Sequence, residues 1–435
     1  MWKLIGKSAL VLGLLAGGCG GAGHPVSRRA ASAIDLAQST GVTAGDRIDG
    51  LDLALDAQGN LHAVWRHTHG REGASRGRLM YRRGSGKPLR WSAPVVISTV
   101  APGMPQVVAR ANGVHVFAGP RLHHWQLTEP GRVHEHGALL DRAAPQVDAF
   151  DALAAGNGIS IVFRTSPLRS GLGLYGLHWT QGGAAAPRPI AQALPSSSPG
   201  RAVPKLHGAA GRLLAIWTET RSSGAFDASS GVTSFQARDE ILASWSTDGG
   251  VHWSPPARVA STPGSDVAAV AVADSGGSPV VFYAAHGVFS SHWQGNAWSP
   301  AAQRADHSAQ SAPGATDITA VTAASCEGAP AVAWADARHR RTDRRWWNPL
   351  GGAPWSDNPD WANNDVFVIE RAFARQAGGP RPQRLTQDGS YTGEIAMTAR
   401  DGRLVVLHSG QARVGKSRHD ANAAPHLLQS LVPCS

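Results

Sequence analysis

A unit of two short apolar strands joined by a tight turn recurs along the chain. The first copy, LDLALDAQGNLHAVWRH at residues 51–67, alternates apolar and polar residues, turns around Gly59, and resumes the alternation up to Trp65. Comparable strand endings fall at Phe117, Phe163, Trp217, Phe282, Trp334 and Leu407, and each unit is followed by a more polar pair of strands. These are seven units with a mean spacing of about 57 residues, room for a four-stranded antiparallel blade and its loops. Period-two alternation rich in β-branched and aromatic residues predicts strands, and the Gly-containing connections predict hairpins. One such sheet cannot bury both of its faces, whereas blades packed radially cover each other and leave few open edges. The pattern predicts an all-β fold: a single β-propeller of four-stranded antiparallel blades, seven in number, or six if one unit is misread. The stretch AIDLAQST at 33–40 reads as an outer strand that pairs with the last blade and closes the ring. Composition agrees, because 51 Gly and 28 Pro are far more than a helical bundle tolerates.

The N-terminal segment reads as an address. Residues 1–18 carry Lys3 and Lys7, then an apolar run too short to span a bilayer, then small residues. The sequence LAGGC resembles a bacterial lipobox, which implies cleavage before Cys19, lipid attachment to its thiol and an extracytoplasmic location at the cell envelope. The other reading is an ordinary signal peptide with an incidental cysteine. Residues 19–32 read as a flexible tether and 33–435 as the propeller. The chain holds 41 Lys+Arg against 31 Asp+Glu, a balance suited to an anionic cell surface. Nucleic acid is not expected as a partner, since the basic residues do not gather along one element and no binding motif is present. After processing Cys326 and Cys434 remain, a candidate disulfide in an oxidising compartment.

The polar halves of the units carry a second signal. Residues 246–253 read Ser-Thr-Asp-Gly-Gly-Val-His-Trp and match the Asp-box pattern Ser-x-Asp-x-Gly-x-x-Trp. Ser246 and Asp248 offer oxygens to turn amides, Gly249 and Gly250 permit positive φ, and Trp253 is placed to pack inward. Decayed copies end at Trp91 and Trp298. Asp boxes on propeller blades resemble those of the sialidase superfamily and its relatives with bacterial neuraminidase repeats, over roughly residues 40–434. The resemblance implies that these boxes lie at the periphery and identify the fold.

Sialidase chemistry in that family uses three arginines that clamp a sugar carboxylate, a Tyr nucleophile assisted by a Glu, and an Asp acid/base. Arg47-Ile48 matches part of the motif that carries the first arginine, and Tyr391-Thr392 occupies the place of the nucleophile at the start of the last blade. Arg221 and Arg338 are the candidates for the other two arginines. The family's Glu and Asp have no counterparts at the expected places, where only Glu219 and Glu72 occur. Glu394, three residues after Tyr391, can substitute only if the strand is irregular there. The resemblance therefore implies a central face that binds a glycan or surface polysaccharide without full sialidase chemistry. The alternatives are an exo-sialidase or other glycoside hydrolase, and an envelope interaction scaffold. The insertion at 336–365 adds Trp346 and Trp347 as a platform for sugar rings. Its Asp357, Asp360, Asn363 and Asp365 lack the spacing of an EF-hand, and the histidines lack metal-ligand spacing, so no metal or cofactor is expected.

Overall fold

A computed structural model describes residues 34–434, except segments 70–75, 166–172, 193–196, 228–231, 264–266, 307–317, 337–364, 373–381, 387–390 and 412–424 and single or paired positions in connecting turns. Residues 1–18, the tether with Cys19, and the insertion bearing Arg338, Trp346 and Trp347 lie outside the described residues. Among the described residues every regular element is a strand, and the strands form seven antiparallel sheets. The inner strands of blades 1 to 7 are Arg47–Leu55, Pro105–Arg110, Val147–Ala155, Lys205–Ala209, Ala269–Ser275, Ile318–Cys326 and Tyr391–Arg400. Each touches the inner strands of its two neighbours, and the seventh returns to the first. The fold is a seven-bladed propeller, and the six-blade count is set aside.

The predicted closure is present. Ile34–Asp35 pairs antiparallel with the third strand of blade 7, Pro425–Pro433, with Ile34 opposite Gln429. Asp35 fixes the junction, its Oδ1 accepting from the amides of Ala37 at 2.9 Å and Leu427 at 3.1 Å. Leu36, fully buried, follows into the seam between blades 7 and 1.

Why seven sheets stay together is visible in the core, which is divided into seven apolar clusters, each shared by two adjacent blades. Alternation sends the aromatics of the second strands into these seams: Trp65, Phe117, Phe282 and Trp334 are all fully buried. Burying side chains of this size contributes about 2–3 kcal/mol each, so the sequence period of two becomes the ring's main adhesive. Blade 6 is also joined to blade 7 covalently, by a disulfide between Cys326 and Cys434 whose Cα atoms are 5.9 Å apart.

The turn at 246–253 is a hydrogen-bonded lock. Ser246 Oγ donates to Asp248 Oδ1 at 2.9 Å and accepts from Gly250 N at 2.8 Å, while Asp248 Oδ1 also accepts from His252 N at 2.9 Å. Gly249 and Gly250 sit at φ 75° and 95°, where a Cβ is strained. A further role emerges for the turn tryptophans, because each reaches the preceding blade. Trp253 packs on Gly176 of blade 3, where an added Cβ would lie 2.8 Å from the indole nitrogen. Trp91 of blade 1 donates from Nε1 to Gln429 Oε1 of blade 7 at 2.6 Å. Trp298 of blade 5 packs against the seam with blade 4.

The disulfide closes a loop of 108 residues. The chain-entropy description gives about 5 kcal/mol for a crosslink of this span, and removing a native disulfide typically costs about 2–5 kcal/mol. Urea unfolding of Cys326→Ser/Cys434→Ser is expected to show a loss in this range with the blade sheets retained; an unchanged midpoint would show that the seams alone set the stability.

Candidate functional site

The inner strands all begin at one end of the ring, and their first residues line a cavity of about 640 Å³ on the propeller axis. All seven blades contribute, through Leu51, Gln106, Phe150, Lys205, Val270, Val321 and Glu394 among others. Four inner strands break register there: between Asp49 and Asp52, Val147 and Ala149, Ile318 and Ala320, and Thr392 and Ile395. Such irregularities re-aim side chains out of the alternating pattern. In blade 1 the break is carried by Gly50, at φ 62°, where a Cβ would collide with Pro105 of blade 2 at 2.4 Å. Only glycine allows the two blades this approach.

The break in blade 7 turns Glu394 into the cavity, where its Oε2 accepts from the Leu51 amide of blade 1. Burial raises the Glu394 carboxyl above its ordinary range, and the nearby Asp49 charge adds to this; the amides of Leu51 and Gly50 and the Arg66 guanidinium oppose it. Arg66 is itself held bidentate by Asp49, with Nε to Oδ1 at 2.5 Å and Nη2 to Oδ2 at 2.7 Å. In blade 3, Asp148 binds Arg164 through Nε at 3.0 Å and Nη2 at 2.5 Å. The side chain of Lys205, at the start of blade 4, forms no hydrogen bond or ion pair among the described residues, and its charge acts on Asp52 and Asp151.

Those two carboxylates clip blades together. Asp52 Oδ2 accepts from the Val107 amide at 2.7 Å, and Asp151 Oδ2 from the Leu206 amide at 2.8 Å. The Gln106 side chain lies between them, its amide nitrogen 2.7 Å from Asp151 Oδ1 and 3.3 Å from Asp52 Oδ2. Asp52 is half-buried and not among the cavity-lining residues. Burial pushes it up to about 6, with the Asp151 charge adding to this and the Val107 amide and Lys205 opposing.

The sequence candidates separate into groups. Glu394 lines the cavity. Tyr391 opens the inner strand of blade 7 as expected, its backbone paired with Gln411, while its side chain lies outside the described residues. Arg47 is exposed at the first position of blade 1 and is not among the cavity-lining residues. Arg221 does not reach the cavity; it lies in a second cleft, between blades 3 and 4, with Nε 2.8 Å from Glu240 Oε2. Arg66 and Lys205 were not singled out from the sequence. The signal for Arg66 was available, since a residue that follows a core aromatic on a strand points to the opposite face, where the register sets it against Asp49. Lys205 carried no comparable mark.

Among the described residues the cavity lining does not form an arginine clamp. Its lining holds two cations, Arg66 and Lys205, against Asp148 and Glu394, with Asp49, Asp52 and Asp151 behind them. Such a wall accepts hydrogen bonds from hydroxyl groups more readily than it attracts an anion. At the mouth Met104 and Val203 are 49% and 41% exposed, and they supply apolar surface.

No family model and no curated protein matches the chain. Among solved structures it is similar to a polysaccharide lyase, an ulvan lyase, with a TM-score of 0.50 at 10% identity over 91% of this chain and 96% of that one. It is also similar to the polysaccharide lyase Uly1, with a TM-score of 0.49 at 8% identity over 89% and 90%. The intramolecular trans-sialidase of Ruminococcus gnavus gives a TM-score of 0.44 at 11% identity over 91% and 96%. The first of these likenesses shows the propeller fold and nothing finer.

Asp52 gives the site a pH signature. Its folded pKa lies above the ordinary 3.8, so its contribution to stability is complete below that value and is lost as the pH rises through about 6. Asp52→Asn still accepts the Val107 amide and cannot ionise. Urea midpoints are expected to show wild type losing stability relative to this variant across that window; a constant difference between them would contradict the assignment.

Proposed function

We propose that the protein binds a glycan in the axial cavity, chiefly through sugar hydroxyls, without full sialidase chemistry. The observation that carries this reading is the convergence of seven strand starts on one cavity. It offers acceptors at Glu394, Asp148 and the Gln106 carbonyl, a donor at Lys205, and apolar patches at Met104 and Val203. Sugars present hydroxyls around their edges and C–H surfaces on their faces, and pockets that bind them combine a few placed polar groups with apolar walls. The named neighbours include enzymes of sialosides and of polysaccharides, which agrees with the reading, but its weight rests on the cavity. The turn at 246–253, with its Ser246 and Asp248 hydrogen bonds, supports its assignment as an Asp box of the sialidase-like type.

A second reading, glycoside hydrolysis, is favoured by one feature: Glu394 enters the cavity with a raised pKa from the strand that Tyr391 opens. Against it stands the absence of an arginine clamp among the described lining residues.

Two assays separate the readings. On an array of neutral and acidic oligosaccharides the wild type is expected to retain glycans that Glu394→Gln and Lys205→Ala bind at least about tenfold more weakly, roughly 1.4 kcal/mol or more. An array with no glycan sensitive to either change would refute the binding site. With a fluorogenic sialoside, wild type and Tyr391→Phe are expected to release fluorophore equally; release that depends on Tyr391 and Glu394 would replace the first reading by the second.

Cys19 supports a lipid anchor and an envelope location, proposed from the lipobox-like LAGGC alone. In an expressing bacterium the full chain is expected to partition with detergent, and Cys19→Ser to move it to the aqueous phase. Equal partitioning of both would remove the anchor.

A further inference from the structure

The cleft that holds Arg221 lies between the outer parts of blades 3 and 4 and has a volume of about 580 Å³. Its floor is one carboxylate. Glu240, 3% exposed, meets Arg221 Nε at 2.8 Å, Arg238 Nη2 at 3.2 Å and Arg258 Nη1 at 3.9 Å. No other acidic group pairs with these arginines among the described residues. The remaining carboxylate in the cleft, Glu219, accepts from Trp217 Nε1 at 3.1 Å. Three guanidiniums against two carboxylates leave one positive charge in excess.

The donor count makes the same point more strongly. Each guanidinium carries five N–H donors in a rigid fork, and one carboxylate offers about four lone-pair positions. Most of the fifteen donors are therefore left for another partner. Arg221 Nε, although close to Glu240, is buried without the alignment of a hydrogen bond. The Arg238 and Arg258 side chains are 53% and 62% exposed at the opening, while Ile190, Leu242 and Pro256 form apolar walls. Guanidinium forks in this arrangement suit the two-oxygen edge of a carboxylate or sulfate.

The cleft shares a face with the axial cavity. In blade 4 the start of the inner strand, Lys205, is paired with Ile216, and Arg221 lies beyond Ile216 on the same strand, Arg212–Asp227. The ends of the second strands and the starts of the inner strands are thus on one side of the ring. The axial cavity is acceptor-rich and the cleft is donor-rich, so the two are suited to different groups.

We propose that the Arg221/Arg238/Arg258 cleft is an anion-binding site for an acidic sugar, taking the carboxylate of a uronate or the sulfate ester of a sulfated sugar. The site stands independently of the axial cavity. Calorimetric titration of the full chain with trigalacturonate and with N-acetylglucosamine 6-sulfate is the test, with galactose as the neutral control.

At least one acidic probe is expected to bind, and which one binds identifies the oxyanion. Arg238→Gln/Arg258→Gln is expected to weaken that binding at least about tenfold. Glu240→Gln removes the competing charge and is expected to tighten binding about threefold, an outcome that a damaged fold would not give. Arg132→Gln/Arg142→Gln, which removes two exposed arginines elsewhere, and Glu394→Gln in the axial cavity are expected to leave it unchanged. The proposal falls if neither acidic probe binds, if the cleft double variant weakens galactose binding as much as that of the acidic probe, if the cleft double variant matches wild type, if Glu240→Gln weakens binding, or if the distant arginine variant loses as much. A loss in Glu394→Gln alone would move the anion to the axial cavity. The array experiment judges the axial site separately.

Discussion

The structure depends on the seams between blades. A four-stranded antiparallel sheet with apolar residues on both faces is insoluble alone, and here each face is covered by the next sheet. The seven apolar clusters are seams and not blade interiors, so no blade owns a core. The cluster between blades 7 and 1 joins residues far apart in sequence, including Leu36, Trp65, Leu407 and Leu427. Without it the other six would have two raw ends.

Apolar contact is non-directional, and it does not by itself fix how blades are aligned. Each seam also carries a directional clip. Glu394 reaches Leu51, Asp52 reaches Val107, Gln106 meets Asp151, and Asp151 reaches Leu206. Asp239 accepts from Val267 at 2.9 Å, Ser325 exchanges hydrogen bonds with Asp274, and Cys326 is bonded to Cys434. The clips nearest the axis are carboxylates, which makes the cavity rich in acceptors. Glu394 belongs to both sets: it helps fix the register of the ring and lines the cavity at its centre.

How much of this was legible follows from what each residue's role depends on. Blade number and closure by residues 33–40 depend on strand alternation, a local property, and the sequence carries it. The axial site depends on exceptions to alternation. Glu394 was tied to an irregular strand, and the break between Thr392 and Ile395 supplies one, but nothing in the residue string marks where a ladder slips. Arg221 follows a second strand as an axial arginine should. Blade 4 extends that strand to Asp227, pairs Arg221 with Arg238 of the next strand, and sends it to the outer cleft. The inter-blade reach of Trp91, Trp253 and Trp298 depends on which blades are neighbours, which a turn motif does not encode.

Closure by the first strand has a kinetic consequence. Ile34–Asp35 lies hundreds of residues before Pro425–Pro433, its sheet partner among the described residues. The seventh sheet cannot be finished until these two ends meet, and until then blades 1 and 7 each expose an unpaired flank. Pairings between such distant segments form slowly, and open flanks are where chains stick to one another. The folding polypeptide therefore passes through an open arc, and its greatest exposure to aggregation falls just before the circle is sealed.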